Sequence, residues 1–245
     1  MKEWIYGRNA VFETLRAGRR KVHRLRTAAG LHASPRLQQT LELARTSKVI
    51  IEEVPRADLD GLGVNHQGIA LQAEEFPYSH LGELFEKAES AQTPPFFLLL
   101  DTLQDPQNLG TLLRTAEAVG VNGVVLPQRR TATVTPAVVN ASSGACEHLL
   151  IAQHNLAQAI DELKSANVWV IGLEGGEAAQ PVDQVRLDGA VAIVVGGEGE
   201  GMRRLVRESC DVLLRLPMRG QIESLNAAVA GSIVLYLTWQ ARGFH

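Results

Sequence analysis

Cysteine is nearly missing from this sequence: Cys146 and Cys210 are far apart and match no metal or redox spacing. That scarcity excludes a disulfide-built fold and a cysteine-ligated zinc site, and predicts that both thiols are small buried hydrophobes. Aromatics are sparse too, at 5% of residues, which leaves few flat platforms for stacking. No hydrophobic run has the length of a membrane span. "FFLLL" and "VAIVV" fall far short of the ~20 residues that cross a bilayer, so no membrane contact is expected. "MKEWIYGRNA" carries no apolar signal core, which predicts a cytoplasmic protein. No cluster of His, Asp and Glu has ligand spacing, so no metal is expected.

What is present is ordinary in amount and uneven in placement. With 245 residues, 45% hydrophobic and 21% charged, the chain has enough apolar material for one large domain or two small ones. Its net charge of -3 hides a division. Residues 1–48 hold 11 Lys and Arg against 3 Asp and Glu, whereas residues 49–101 hold 2 against 10. A basic first segment containing "RAGRRKVHRLR" is what a phosphate-binding surface needs, and a solvated strand and loop would look the same.

The patterning divides the chain as well. Residues 1–75 read as a compact αβ unit: helices over 9–17 and 35–46, strands over 22–27, 49–54 and 68–73. Residues 76–95 begin and end near proline and hold one short amphipathic helix, as a linker would. From residue 96 to 245 the apolar strands "FFLLLD", "GVVLP", "HLLIA", "VWVIGL", "AIVVGG" and "DVLLRLP" alternate mostly with helical or turn segments. Continuous Val, Ile and Leu strands in such an alternation predict an α/β fold with a parallel sheet covered on both faces. Ligands of such sheets sit beyond the carboxyl ends of the strands.

Polar, glycine-bearing segments follow three of those ends. The first, "DTLQDPQNLGTLLRTAEAVG", is expected to start a helix near Asn108, with Asn108 its cap or a site residue and Arg114 a surface ion-pair partner or a side chain reaching back to the strand ends. The second, "VVGGEGEGMRRL", interleaves Gly196, Gly197, Gly199 and Gly201 with Glu198 and Glu200. It has neither P-loop nor G-x-G-x-x-G spacing, and its carboxylates would repel a polyphosphate, so a neutral or cationic ligand fits it better. The third is "LPMRGQIESLNAAVAGSIVLYL", where Ser224 and Asn226 interrupt the approach to a long apolar run. Ser224 as a helix cap accounts for one of these polar residues, and leaves Asn226 in a first turn where it has no propensity advantage.

In their joint order, "NLGTLLRTA", "VVGGEGEGM" and "LPMRGQIESLNAAVA" resemble the three motifs of the SpoU/TrmH branch of the SPOUT RNA methyltransferases. "IYGRNAVFETLRAG" and "HQGIALQ" are similar to the small L30e-like RNA-binding domain of the bacterial 23S rRNA guanosine 2'-O-methyltransferases. The resemblance implies a C-terminal SPOUT domain whose parallel sheet carries a deep trefoil knot, preceded by that αβ RNA-binding domain. Connection rules alone argue against a knot. It further implies S-adenosylmethionine as methyl donor, a homodimer, and RNA as substrate, either 23S rRNA or a ribosome-assembly intermediate.

On that resemblance Gly196, Gly197, Leu216, Met218 and Leu225 are the expected cofactor contacts. Asn108, Arg114, Glu198, Ser224 and Asn226 match the family's active-site positions. Arg114 is the family's favoured activator of the ribose hydroxyl, yet a guanidinium is a poor base, so phosphate binding and alkoxide stabilisation suit it better. Where the family commonly reads "SLNVSVA" this chain has "SLNAAVA", so Ala228 stands in place of a hydroxyl. Rival readings are a tRNA 2'-O-methyltransferase, an antibiotic-resistance rRNA methyltransferase, and an RNA-binding module without catalysis.

Overall fold

The computed structural model describes residues 1–62, 65–199, 201–222 and 224–244. By contact the chain forms two units, Met1–Pro77 with Thr133–His148, and Tyr78–Ala132 with Leu149–His245.

The first unit runs β1 (Lys2–Tyr6), α1 (Arg8–Ala17), β2 (Val22–Ala28), α2 (Pro35–Thr46), β3 (Ile50–Val54), α3 (Ala57–Asp60) and β4 (Ile69–Glu74). Its sheet has the order β1-β4-β2-β3, with only the β2 and β3 pair parallel. Helix α2 occupies its expected span because Ser34 caps it, accepting from the Leu37 amide at 3.2 Å, and Pro35 sits at the first helical position. Strand β1 was not expected. Only Ile5 of "KEWIY" is buried, so this edge strand offers no apolar run to read.

Here the basic segment meets the acidic one. Arg24 and Arg26 each donate to Glu52, at 2.9 and 3.0 Å, across the β2 and β3 pair. Arg26 also lies over the Trp4 ring and Arg36 over the Phe12 ring. Part of the positive charge therefore serves folding rather than a partner.

The second unit opens with α4 (Leu81–Ser90), β5 (Phe96–Leu100), α5 (Pro106–Ala118) and β6 (Gly123–Leu126). The chain then lends α6 (Pro136–Ala141) and a 3-10 turn, Ala145–His148, to the first unit. It resumes with β7 (Ile151–Gln153), α7 (Leu156–Ser165), β8 (Trp169–Leu173), β9 (Gln180–Pro181), β10 (Val191–Val195), α8 (Arg204–Ser209), β11 (Val212–Arg215) and α9 (Ala227–Ala241). The seven-stranded sheet has the order β7-β6-β5-β10-β8-β11-β9, and every pairing is parallel. β5 and β10 are buried along their whole length, which is why they read as unbroken apolar runs.

Two expectations need correction. The segment 76–95 is more than a linker, because Leu81, Leu84 and Ala88 of α4 join the core of the second unit with Phe97, Leu99 and Val125. Residues 133–148 were expected to stay with the sheet and instead pack into the first unit. Glu147 is fully buried there, accepting from Arg20 Nε at 3.0 Å and Nη2 at 2.7 Å, while Asn140 Nδ2 donates to the Tyr6 carbonyl at 2.9 Å. Arg20 is also paired with Glu3. Burial opposes the charge on Arg20, but Glu147 and Glu3 outweigh it and raise its pKa. Glu3 moves the other way in stability: burial raises its carboxyl above the ordinary range despite Arg20, because one guanidinium serves two carboxylates and Glu147 is also close.

Candidate active site

The strand ends converge on one cavity of about 520 Å³, formed entirely within the second unit. It is lined by eight of the expected site residues: Gly196, Gly197, Glu198, Leu216, Met218, Ser224, Leu225 and Asn226. They come from the loops after β10 and β11 and from the start of α9. The end of β8, at Leu173 to Gly175, also lines it, as does Met202. Those residues escaped the sequence reading, although the end of "VWVIGL" was a strand end like the others.

Sterics shape the glycine loop. Gly197 and Gly201 bond each other's backbones at 3.2 and 3.1 Å, closing a tight turn. Glu200 lies outside the described residues. A Cβ on Gly196 would stand 2.3 Å from the Gly201 carbonyl carbon, and one on Gly197 would stand 2.5 Å from the Thr102 carbonyl oxygen. These glycines are needed for chain-on-chain packing before any ligand is considered.

Three polar side chains lock that loop to the two helices. Asn226 is the N-cap of α9, its Oδ1 accepting from the amides of Ala228 and Val229. The cap is therefore Asn226 and not Ser224, and the long apolar run starts as a helix one residue later. The Asn226 Nδ2 donates to Glu198 Oε1 at 2.9 Å and to Asn108 Oδ1 at 3.1 Å, and Asn108 Nδ2 donates to the same Glu198 oxygen. Asn108 does not cap α5. That role belongs to Asp105, which accepts from the Gln107 amide at 3.1 Å, with Pro106 beginning the helix. Asn108 is thereby free to lie buried under the loop with its amide satisfied.

The cavity is walled by Leu173, Met202, Leu216, Met218 and Leu225, with the carboxylates of Glu174 and Glu198 among its lining groups. Met218 and Leu225 are 42% and 40% exposed, an apolar surface left facing solvent at a concave site.

Residues 95–236 match the family model described as the SpoU rRNA methylase family. The chain belongs to that family. Residues 4–79 match the model for RNA 2'-O ribose methyltransferase substrate binding, which coincides with most of the first unit. A Bacillus subtilis protein, YacO, named for the TrmH family of tRNA/rRNA methyltransferases, is 41% identical over 244 residues, 98% of this chain and 96% of that one. Among solved structures, the SpoU methyltransferase AviRb from Streptomyces viridochromogenes in complex with AdoMet superposes with a TM-score of 0.81 at 20% identity, covering 100% of this chain and 92% of its own. An RNA 2'-O ribose methyltransferase gives 0.79 at 26% identity, covering 98% and 89%.

Of the expected residues of this SpoU-family chain, Asn108 and Arg114 are not among those lining the cavity: Asn108 is buried and joined to it through Glu198 and Asn226, and Arg114 is exposed on α5. Helix α5 packs on α9, where Thr115 and Ser232 share a hydrogen bond of 2.9 Å. Cys146 is buried as expected whereas Cys210 is only half-buried, and burial pushes both thiols up to about 12. Among the described residues no group of His, Cys, Asp and Glu is arranged to hold a metal, and no helix is long and apolar enough to cross a membrane.

Proposed function

We propose that this chain methylates a ribose 2'-hydroxyl of RNA, a guanosine of 23S rRNA in particular, with S-adenosylmethionine as the donor. The observation that carries the reading is the convergence of three motif segments on one cavity, joined by the Asn108, Glu198 and Asn226 hydrogen bonds. The cavity suits the donor. Its volume is of the size that encloses a small cofactor. Its leucine and methionine walls suit an adenine ring, and the Glu198 carboxylate suits a sulfonium cation, that of Glu174 being paired with Arg207. The bound donor supplies an electrophilic methyl group.

The protein's own part is positioning. Gly196, Gly197, Leu216, Met218 and Leu225 hold the donor, largely through a backbone that the glycines bring close. Ser224 and Asn226 orient the ribose side, and Asn108 with Glu198 holds the glycine loop to α5 and α9. As the bond from the 2'-oxygen to the methyl carbon forms, the carbon-sulfur bond breaks and the hydroxyl proton leaves to the neighbouring phosphate or water. Arg114 binds that phosphate and stabilises the developing alkoxide.

A homodimer fits the same site. Val229, Ile233, Tyr236 and Phe244 form an exposed apolar stripe along and just past α9, and they line a shallow groove with Thr111 of α5. Arg114 stands one turn beyond Thr111 on that helix. Covering the stripe with a second copy places Arg114 beside the interface rather than on open surface. The C-terminal segment is further proposed to thread into a knot of the SPOUT type.

The deciding experiment is transfer of a labelled methyl group to protein-free 23S rRNA, 16S rRNA and tRNA in the cytoplasmic ionic range, followed by nuclease digestion. Label on a 2'-O-methylguanosine of 23S rRNA is expected. Label in tRNA alone overturns the rRNA assignment, and a protein that binds no S-adenosylmethionine overturns the enzyme reading.

A further inference from the structure

A second hollow, of about 320 Å³, lies at the ends of β6 and β7, and its lining includes Arg129, His154, Asn155, Arg203 and Leu205. No carboxylate is among its described lining residues. The loop that carries Arg129 is pinned, since the Thr131 hydroxyl and the Ala132 amide both donate to the Leu103 carbonyl, at 2.9 and 2.7 Å. Arg129 has no ion-pair partner among the described residues.

Arg203 is held more firmly. Its backbone amide donates to Asp101 Oδ2 at 2.8 Å, its Nε donates to Oδ1 at 2.8 Å, and its Nη2 lies 2.7 Å from Oδ1. Asp101 is fully buried at the end of β5, while the Arg203 side chain is 43% exposed. Nη1 takes no part in the pair. A buried carboxylate thus fixes one edge of the fork and leaves the rest as an oriented donor, so little side-chain freedom is lost when an anion docks. The pair is neutral in sum. Arg129 supplies the net positive charge.

Met202 lines the donor cavity and the next residue, Arg203, lines this hollow. The two openings therefore share one stretch of backbone. Leu205, 62% exposed at the second opening, offers apolar contact to a sugar face.

We infer that this hollow is an RNA phosphate subsite, in which Arg129 and the Asp101-held Arg203 grip a backbone phosphodiester flanking the methylated nucleotide. The inference rests on the reading of the chain as an RNA methyltransferase, and not on which RNA it modifies.

The test is RNA binding by the full chain across a potassium chloride series, with 23S rRNA and with bulk tRNA as probes, beside calorimetry of S-adenosylmethionine binding. Arg129→Ala is expected to make the plot of log affinity against log salt shallower by about 0.7 to 0.9 on both RNAs, the share of one phosphate contact. Arg203→Lys, which keeps the charge against Asp101 and so folds, is expected to weaken RNA binding by about tenfold with the slope retained. Donor affinity should stay unchanged in both. Wild-type salt slope and affinity in both variants would overturn the subsite, as would a loss confined to donor affinity. The methylated RNA is identified separately by where the label goes, so that assignment can fail while the subsite stands.

Discussion

Asn226 Nδ2 lies 2.9 Å from Glu198 Oε1 while the same side chain's Oδ1 accepts from the Ala228 amide at 2.9 Å. One asparagine both begins α9 and fastens the glycine loop. Asn226→Asp separates the two tasks, because aspartate caps as well but sets a second carboxylate against Glu198. We expect the start of α9 to be kept, stability to fall by about 1 to 3 kcal/mol from the lost charge-assisted hydrogen bond, and methyl transfer to fall by about 10- to 100-fold. Asn226→Ala should lose about 1 kcal/mol more in stability, readable by urea denaturation.

Gly196→Ala should fail through packing. The new methyl would stand 2.4 Å from the Met202 amide nitrogen as well as against Gly201, and backbone cannot step aside as a flexible side chain can. A loss of about 1 to 3 kcal/mol in stability, with weakened donor binding, is expected. Gly175 lines the same cavity with open space around its Cβ position, so Gly175→Ala should leave stability unchanged in the same melts.

Arg114→Lys distinguishes a fork from a charge. Turnover with saturating donor should fall about 100-fold, while calorimetry shows donor affinity within about twofold of wild type, because Arg114 does not line the cavity. Undiminished turnover would sink the role given to this residue.

The buried network of the first unit makes a prediction about pH. Glu147→Gln leaves Arg20 without its fully buried partner and should cost about 3 to 5 kcal/mol. Glu3→Gln should behave differently. Burial raises the Glu3 pKa in the folded chain, so ionising it costs stability as pH rises from the ordinary carboxylate range through the raised value. Below that window the folded carboxyl is protonated and carries no such cost. The stability of Glu3→Gln relative to wild type should therefore increase from pH 4 to pH 7 in urea denaturation; a flat difference would contradict it.

Legibility in the sequence followed locality. Ser34 with Pro35 marked α2, and the fully buried β5 and β10 read as apolar runs. β1, with one buried residue, and β9, with two residues in all, carried no such signal. The site residues were legible as types at strand ends, but their duties were not. That Asn226 rather than Ser224 caps α9, and that Asp105 relieves Asn108 of capping, depends on backbone angles a few residues away. Arg20 and Glu147 are 127 positions apart, beyond any periodicity. The family resemblance located the motifs, and the hydrogen bonds show what Asn108, Glu198 and Asn226 do within them.

Because α6 and the turn at Ala145–His148 belong with the first unit, the chain passes from one unit to the other three times, after residues 77, 132 and 148. The units are therefore not modules that a single cut can separate. A fragment ending at residue 77 would carry Arg20 without Glu147, and one beginning at residue 78 would carry Glu147 without its cation. Recombination at any one of these junctions would part Arg20 from Glu147 or split the second unit, so in this chain the two halves travel together.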